Sequence, residues 1–150
     1  MAKHQEANRR FSASARISGW EAAVCHGRLP TGSSGALVFE HQTIAFAIEM
    51  TEPIKGHRKG TLIVQSLPER ALQKMFPPKA PDQVATLDVS AKAGVHIKLI
   101  VSLAEMACLL ALANSNRLSR LELLGIEPYR GKGVITLLEL RTNSVTLHAA

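Results

Sequence analysis

The alternation of apolar and polar positions in this chain is mostly that of strands. In residues 36–51, ALVFEHQTIAFAIEMT, the second half places Ile44, Phe46 and Ile48 on one side, as a half-buried strand requires. The EHQ interruption before them predicts a hairpin. An earlier strand is expected over residues 17–26, around Trp20 and Val24. RLPTGSSG, at 28–35, reads as a loop by its Pro, Gly and Ser content. Residues 52–60, EPIKGHRKG, form a second loop, followed by a short apolar strand at 61–65. In the second half, strands are predicted over 84–91 and 95–101, about the turn KAG at 92–94. A hairpin follows, over 118–126 and 134–141 around EPYRGKG, with 144–148 as an extension of its last strand.

Two segments carry helix-start signals instead. In SLPERALQKMF, Ser66 stands three residues before Glu69, and Pro68 suits a first turn. In SLAEMACLLALAN, Ser102 stands three residues before Glu105. Each pair is a capping box, in which the serine hydroxyl accepts from the third amide and the glutamate reaches back to the serine amide. The run FPPKAP, at 76–81, stops the first helix. Set side by side, LIVQSLPERALQKM and LIVSLAEMACLLAL share strand, cap and helix, which suggests an internal strand–strand–helix repeat.

The second helix lacks the polar stripe of a surface helix, since Glu105 is its only charge. Leu103, Met106 and Leu110 share one face, while Leu109 and Leu112 point elsewhere. Both faces need cover. That predicts either a central place in the fold or a homo-oligomer interface through Met106, Leu109 and Leu112. The expected fold is α+β: an antiparallel twisted sheet or open barrel of seven to eight strands with two helices. Residues 1–16, with Lys3, Arg9, Arg10 and Arg16, read as a flexible basic tail, and 17–150 as a single domain.

Composition agrees with a globular chain. Hydrophobic residues make up 46% and charged residues 20%, and aromatics at 4% leave the core to Leu, Ile, Val and Ala. Cys25 and Cys108 lie in apolar surroundings and are expected as buried hydrophobes; two cysteines do not make a secreted disulfide framework. The most apolar stretch, 99–113, contains Glu105 and is too short to span about 30 Å of hydrocarbon. The N-terminus lacks the apolar core of a secretory signal. A cytoplasmic protein without membrane contact is expected.

Candidate catalytic chemistry is thin. The histidines are dispersed and show no zinc-ligand spacing. Cys25 and His26 are adjacent, so on a strand they face opposite sides and form no nucleophile–base pair. TGSSG lacks both the GK[ST] ending of a phosphate loop and the spacing of a nucleophile elbow. No cofactor or metal is called for. A small enzyme with a dispersed active site stays a third-ranked reading.

Charge is more telling. The formal net charge is +6, and a set of turns is basic. KGHRKG supplies Lys55, His57, Arg58 and Lys59; PYRGKG supplies Tyr129, Arg130 and Lys132; and Lys92 sits in a third turn. Glycines let a backbone approach phosphate, Lys and Arg contact it, and Tyr129 is placed to stack on a base. If these tips share one edge of the sheet, they make a continuous positive groove. The leading expectation is a non-enzymatic nucleic-acid-binding protein, with the nucleic-acid type left open. The alternative is a protein-interaction module, an inhibitor or adaptor, docking a partner through the apolar helix or a sheet edge. The layout of strands followed by a Ser-capped helix, in LIVQSLPERAL and LIVSLAEMACLL, is similar to that of Whirly-like single-stranded nucleic-acid-binding proteins. That resemblance implies an oligomeric single-strand binder using its sheet face.

Overall fold

In the computed structural model, which describes residues 10–30, 36–67 and 83–142 (backbone alone at 25–30, 36–41 and 127–129), the strands close on themselves as a barrel. In chain order the elements are β1 (Arg10–Pro30), β2 (Ala36–Ile54), β3 (His57–Ser66), β4 (Ala85–Ser90), β5 (Gly94–Val101), α1 (Leu103–Asn114), β6 (Leu118–Tyr129) and β7 (Lys132–Thr142). Around the wall the order is β1-β2-β3-β5-β4-β7-β6, with β6 returning to β1. Every neighbouring pair is antiparallel except β3 and β5, which run parallel with Gly60 opposite Val95 and Ser66 opposite Val101.

Closure uses residues that read as a tail. Arg10–Arg16 pair in register with Ile126–Arg120, so residues 10–16 are barrel wall. Their inward positions, Phe11, Ala13 and Ala15, do alternate, but two of them are alanines, and the flanking arginines and serines mask the pattern. A second correction concerns EHQ. β2 runs unbroken through residues 40–42, with Glu40 opposite His26 and Gln42 opposite Val24, and the chain reverses between Pro30 and Ala36 instead. The expected loop at 52–60 shrinks to the two residues between β2 and β3. The predicted first helix and the extension at 144–148 fall outside the described residues, apart from Ser66 and Leu67. Ser66 is buried at the end of β3 and serves a different strand there. Its Oγ accepts from the Gln42 N–H at 3.0 Å and faces the Gln42 carbonyl at 3.4 Å.

The second helix forms as its cap predicts. The Glu105 N–H donates to Ser102 Oγ at 3.2 Å, and the Ser102 N–H donates to Glu105 Oε1 at 3.4 Å. Such a cap stabilises a helix by about 1 kcal/mol. α1 links the end of β5 to the start of β6 and sinks Met106 and Ala113 into the core. Met106 is therefore covered by the chain's own barrel. Leu109 is half-buried against the core, whereas Leu112 is 36% and Leu103 48% exposed. Cys108, expected inside, is exposed with a free thiol, because it lies on the helix face turned from the barrel.

Ile44, Phe46, Ile48 and Met50 of β2 meet Leu62, Val64, Leu87, Ile97, Leu121 and Ile135 in an aliphatic interior. Each such side chain contributes roughly 1.5–3 kcal/mol on burial. Among the described residues, no helix is long and apolar enough to cross a membrane.

Strand directions divide the barrel into two ends. β1, β3, β5 and β7 run one way, and β2, β4 and β6 the other. The β2–β3, β4–β5 and β6–β7 turns therefore all lie at the end where β1 begins. At the far end stand α1 and the outer part of the β1–β2 ribbon. There, from Val24–Gln42 to Pro30–Ala36, the two strands pair only with each other.

Candidate nucleic-acid interface

Two of the three turns have the same construction. Lys55 and Gly56 have φ of 50° and 84°, and Arg130 and Gly131 have φ of 52° and 81°. Both central residues in the left-handed region define a two-residue type I′ hairpin, whose twist suits the flanking strands. The first position of such a turn favours Asn, Asp or Gly. Placing a residue with a longer side chain there costs on the order of 1–2 kcal/mol. Both hairpins carry that cost with a cation at the tip. The third turn spans 91–93; the Ala93 N–H donates to Ser90 Oγ at 3.0 Å, and Gly94 follows with φ of 67°.

Tertiary pairing sets these turns side by side. Parallel β3 and β5 bring residues 55–59 against 91–94, and between them opens a cleft of about 620 Å³ lined by Gly56, His57, Arg58, Lys59, Lys92 and Gly94 among others. A Cβ on Gly94 would stand 2.5 Å from the Lys59 carbonyl oxygen, so only glycine permits this approach. On the other side of β4, the Val89 N–H donates to the Gly131 carbonyl at 2.7 Å, and Lys132 lies opposite Asp88. A Cβ on Gly131 would come within 2.6 Å of the Val89 carbonyl oxygen. The sequence-predicted cations Lys55, Arg58, Lys59, Lys92, Arg130 and Lys132 thus share one rim with His57. Tyr129 ends β6 at the same rim, and its side chain lies outside the described residues.

The rim cations differ from those on the wall. Arg16 pairs with Glu49 at 3.2 Å, Arg120 with Glu122 at 3.3 Å and Arg141 with Glu139 at 2.6 Å. Glu139 raises the pKa of the Arg141 guanidinium through this hydrogen bond and its charge. Among the described residues, Lys55, Lys59, Lys92 and Lys132 have no carboxylate at ion-pair distance. Arg58 Nη1 donates to the Thr51 carbonyl at 3.0 Å, which orients the guanidinium while leaving other donors outward. Like charges gathered without partners repel, and a bound polyanion relieves that repulsion. Among the described residues, no three His, Cys, Asp or Glu side chains come together as a metal site.

Sequence reasoning missed two features here. Arg10 starts β1 at this rim, opposite Ile126, and reads in sequence as part of a tail. A groove on the barrel flank next to the cleft is lined by Phe11, Ser14, Thr51, Glu52, Lys55 and Glu122 among others. Its residues come from three strands, so no local motif could have exposed it. No protein-family model, curated protein or solved structure matches the chain, and the likeness in layout to Whirly-like proteins is carried no further.

Proposed function

We propose that the protein binds nucleic acid without catalysing a reaction, gripping backbone phosphates with the basic rim. The observation that carries this reading is the convergence of three separate basic turns on one end of a closed barrel. Four of their lysines have no carboxylate partner among the described residues. Lys55, Arg58, Lys59, Lys92, Arg130 and Lys132 contact phosphates, and the glycines beside them let the strand come close. Such contacts release counterions, so affinity falls steeply with salt, with a slope of roughly −0.7 per contact for single strands and −0.9 for duplex.

Fluorescence anisotropy with labelled single-stranded DNA, duplex DNA and RNA, titrated from low to moderate salt, tests this. The expected result is tight binding at low salt with a steep slope. In the variant with Arg58, Lys59 and Lys132 all changed to Ala, affinity drops on the order of 10- to 100-fold, and the slope flattens by about two to three units. Unchanged affinity in that variant removes the rim from the interface.

A second reading rests on α1. Leu103 and Leu112 are 48% and 36% exposed on a helix whose only charge is Glu105. This face suits a protein surface, and a second copy of the chain is the first partner to test. Size-exclusion chromatography with light scattering decides the point, since a monomer at micromolar concentration excludes the self-association.

A further inference from the structure

The barrel wall has a gap beside the basic cleft. β1 and β2 pair only as far as Ala15–Met50, and the β2–β3 ladder lapses between Glu49 and Ile54. Residues 10–14 of β1 therefore pair with β6 alone, and residues 51–53 of β2 run free of both neighbouring ladders. The space between them is the flank groove, about 390 Å³, within the range of about 300–1,000 Å³ typical of small-molecule sites. Pro53 borders both this groove and the basic cleft, and Lys55 lines the groove from the turn. A phosphate held at the cleft would have its own base within reach of the groove.

The lining has the chemistry of a base site. Phe11 offers an aromatic surface; its ring lies against Gly125, where an added Cβ would meet Phe11 Cε1 at 3.2 Å. Pro53 and Ile54 also line the groove. Ser14 Oγ donates to Thr51 Oγ1 at 3.1 Å across the groove, which ties its two walls together. Two carboxylates, Glu52 and Glu122, line a groove beside a cluster of cations. Glu122 spends Oε1 on Arg120 and keeps Oε2 free, while Glu52 is exposed and enters no ion pair among the described residues. A carboxylate weakens phosphate binding nearby, so its use here is as an acceptor for N–H donors. Guanine presents two such donors side by side, at N1 and the exocyclic N2, and they match the two oxygens of one carboxylate. Thymine and uracil present one N–H flanked by two carbonyls, which a carboxylate repels.

We propose that this groove takes an unpaired guanine from the strand whose phosphates the rim holds, with Glu52 accepting from N1 and N2 on its Watson–Crick edge, Glu122 Oε2 accepting the second N2 hydrogen, and Phe11 beneath its ring. The inference rests on the nucleic-acid reading above and adds to it both strand state and base. In a duplex the same edge is occupied by cytosine, so the ligand is single-stranded or looped.

Anisotropy with equal-length labelled oligonucleotides, all-thymine against alternating thymine–guanine, tests the proposal. A well-placed bidentate contact predicts that the alternating strand binds about tenfold more tightly at the same salt concentration. Replacing guanine by inosine, which lacks N2, removes most of that preference. The double change Glu52→Gln and Glu122→Gln abolishes it while leaving affinity for the all-thymine strand equal or higher. Both positions are solvent-accessible, and a thermal melt confirms that the variant is folded. Equal binding of the two strands overturns the guanine groove and leaves the basic rim standing, as does a preference that survives the double change. Duplex binding as tight as single-strand binding also overturns it. Failure of every oligonucleotide to bind at low salt overturns the rim together with the groove.

Discussion

The two ends of the barrel are built from the same strands, yet they expose opposite chemistry. At the turn end, Arg10, Lys55, Arg58, Lys59, Lys92, Arg130 and Lys132 gather near Glu52, Asp88 and Glu122, so cations outnumber carboxylates among the described side chains. At the far end, the described charged side chains are few, among them Glu21, Glu105 and Arg117, with Val24 68% and Leu103 48% exposed. The difference is also one of strain. Lys55 and Arg130 sit in left-handed backbone where Asn would be at ease, whereas at the far end the residue in that region, Asn116 with φ of 57°, is an Asn. Local strain that the surrounding fold holds in place is a frequent companion of function. The contrast supports the proposed use of the rim for ligand contact.

Four variants test this comparison, from the largest effect to the smallest. Phe46→Ala removes the largest of the fully buried side chains that both ends share. It costs about 3–5 kcal/mol, a large part of a typical folding free energy, and chemical denaturation should show both ends lost in one transition. The triple change of Arg58, Lys59 and Lys132 to Ala acts on one end alone: binding falls as given above, while the melting temperature stays within a few degrees. Lys55→Asn should move stability and binding in opposite directions. Relief of the left-handed strain stabilises the hairpin by about 1 kcal/mol, or roughly 2–4 °C in melting temperature. Loss of the charge weakens nucleic-acid binding severalfold. A parallel change in both quantities would break the link between strain and function. Ser102→Ala removes the cap of α1 and costs about 1 kcal/mol in denaturation, with binding at the rim unchanged.

Much of this molecule was legible in the chain. The alternation of Ile44, Phe46 and Ile48 marked β2, and the same pattern logic placed β4, β5 and the last hairpin to within a few residues. KG and RG between apolar runs marked the tips, and Ser102 with Glu105 marked the start of α1. Legibility failed where the signal was weak or was carried by another strand. Alanines made the inward face of residues 10–16 look like a tail, and the polar EHQ looked like a turn because its backbone partners lie on β1. α1 read as needing cover on both faces; the barrel covers Met106 and Ala113, and leaves Leu103 and Leu112 outside.

The sequence by itself determined the local elements, because hydrophobic period, caps and turn glycines act over a few residues. It also placed basic residues in each of three turns. Only the tertiary structure decided that β3 and β5 run parallel, that β1 closes on β6, and that three turns and a flank groove share one rim. Those outcomes depend on hydrogen bonds between segments far apart in the chain. Such bonds use backbone groups common to nearly every residue, so pairing partners leave little trace in the order of side chains.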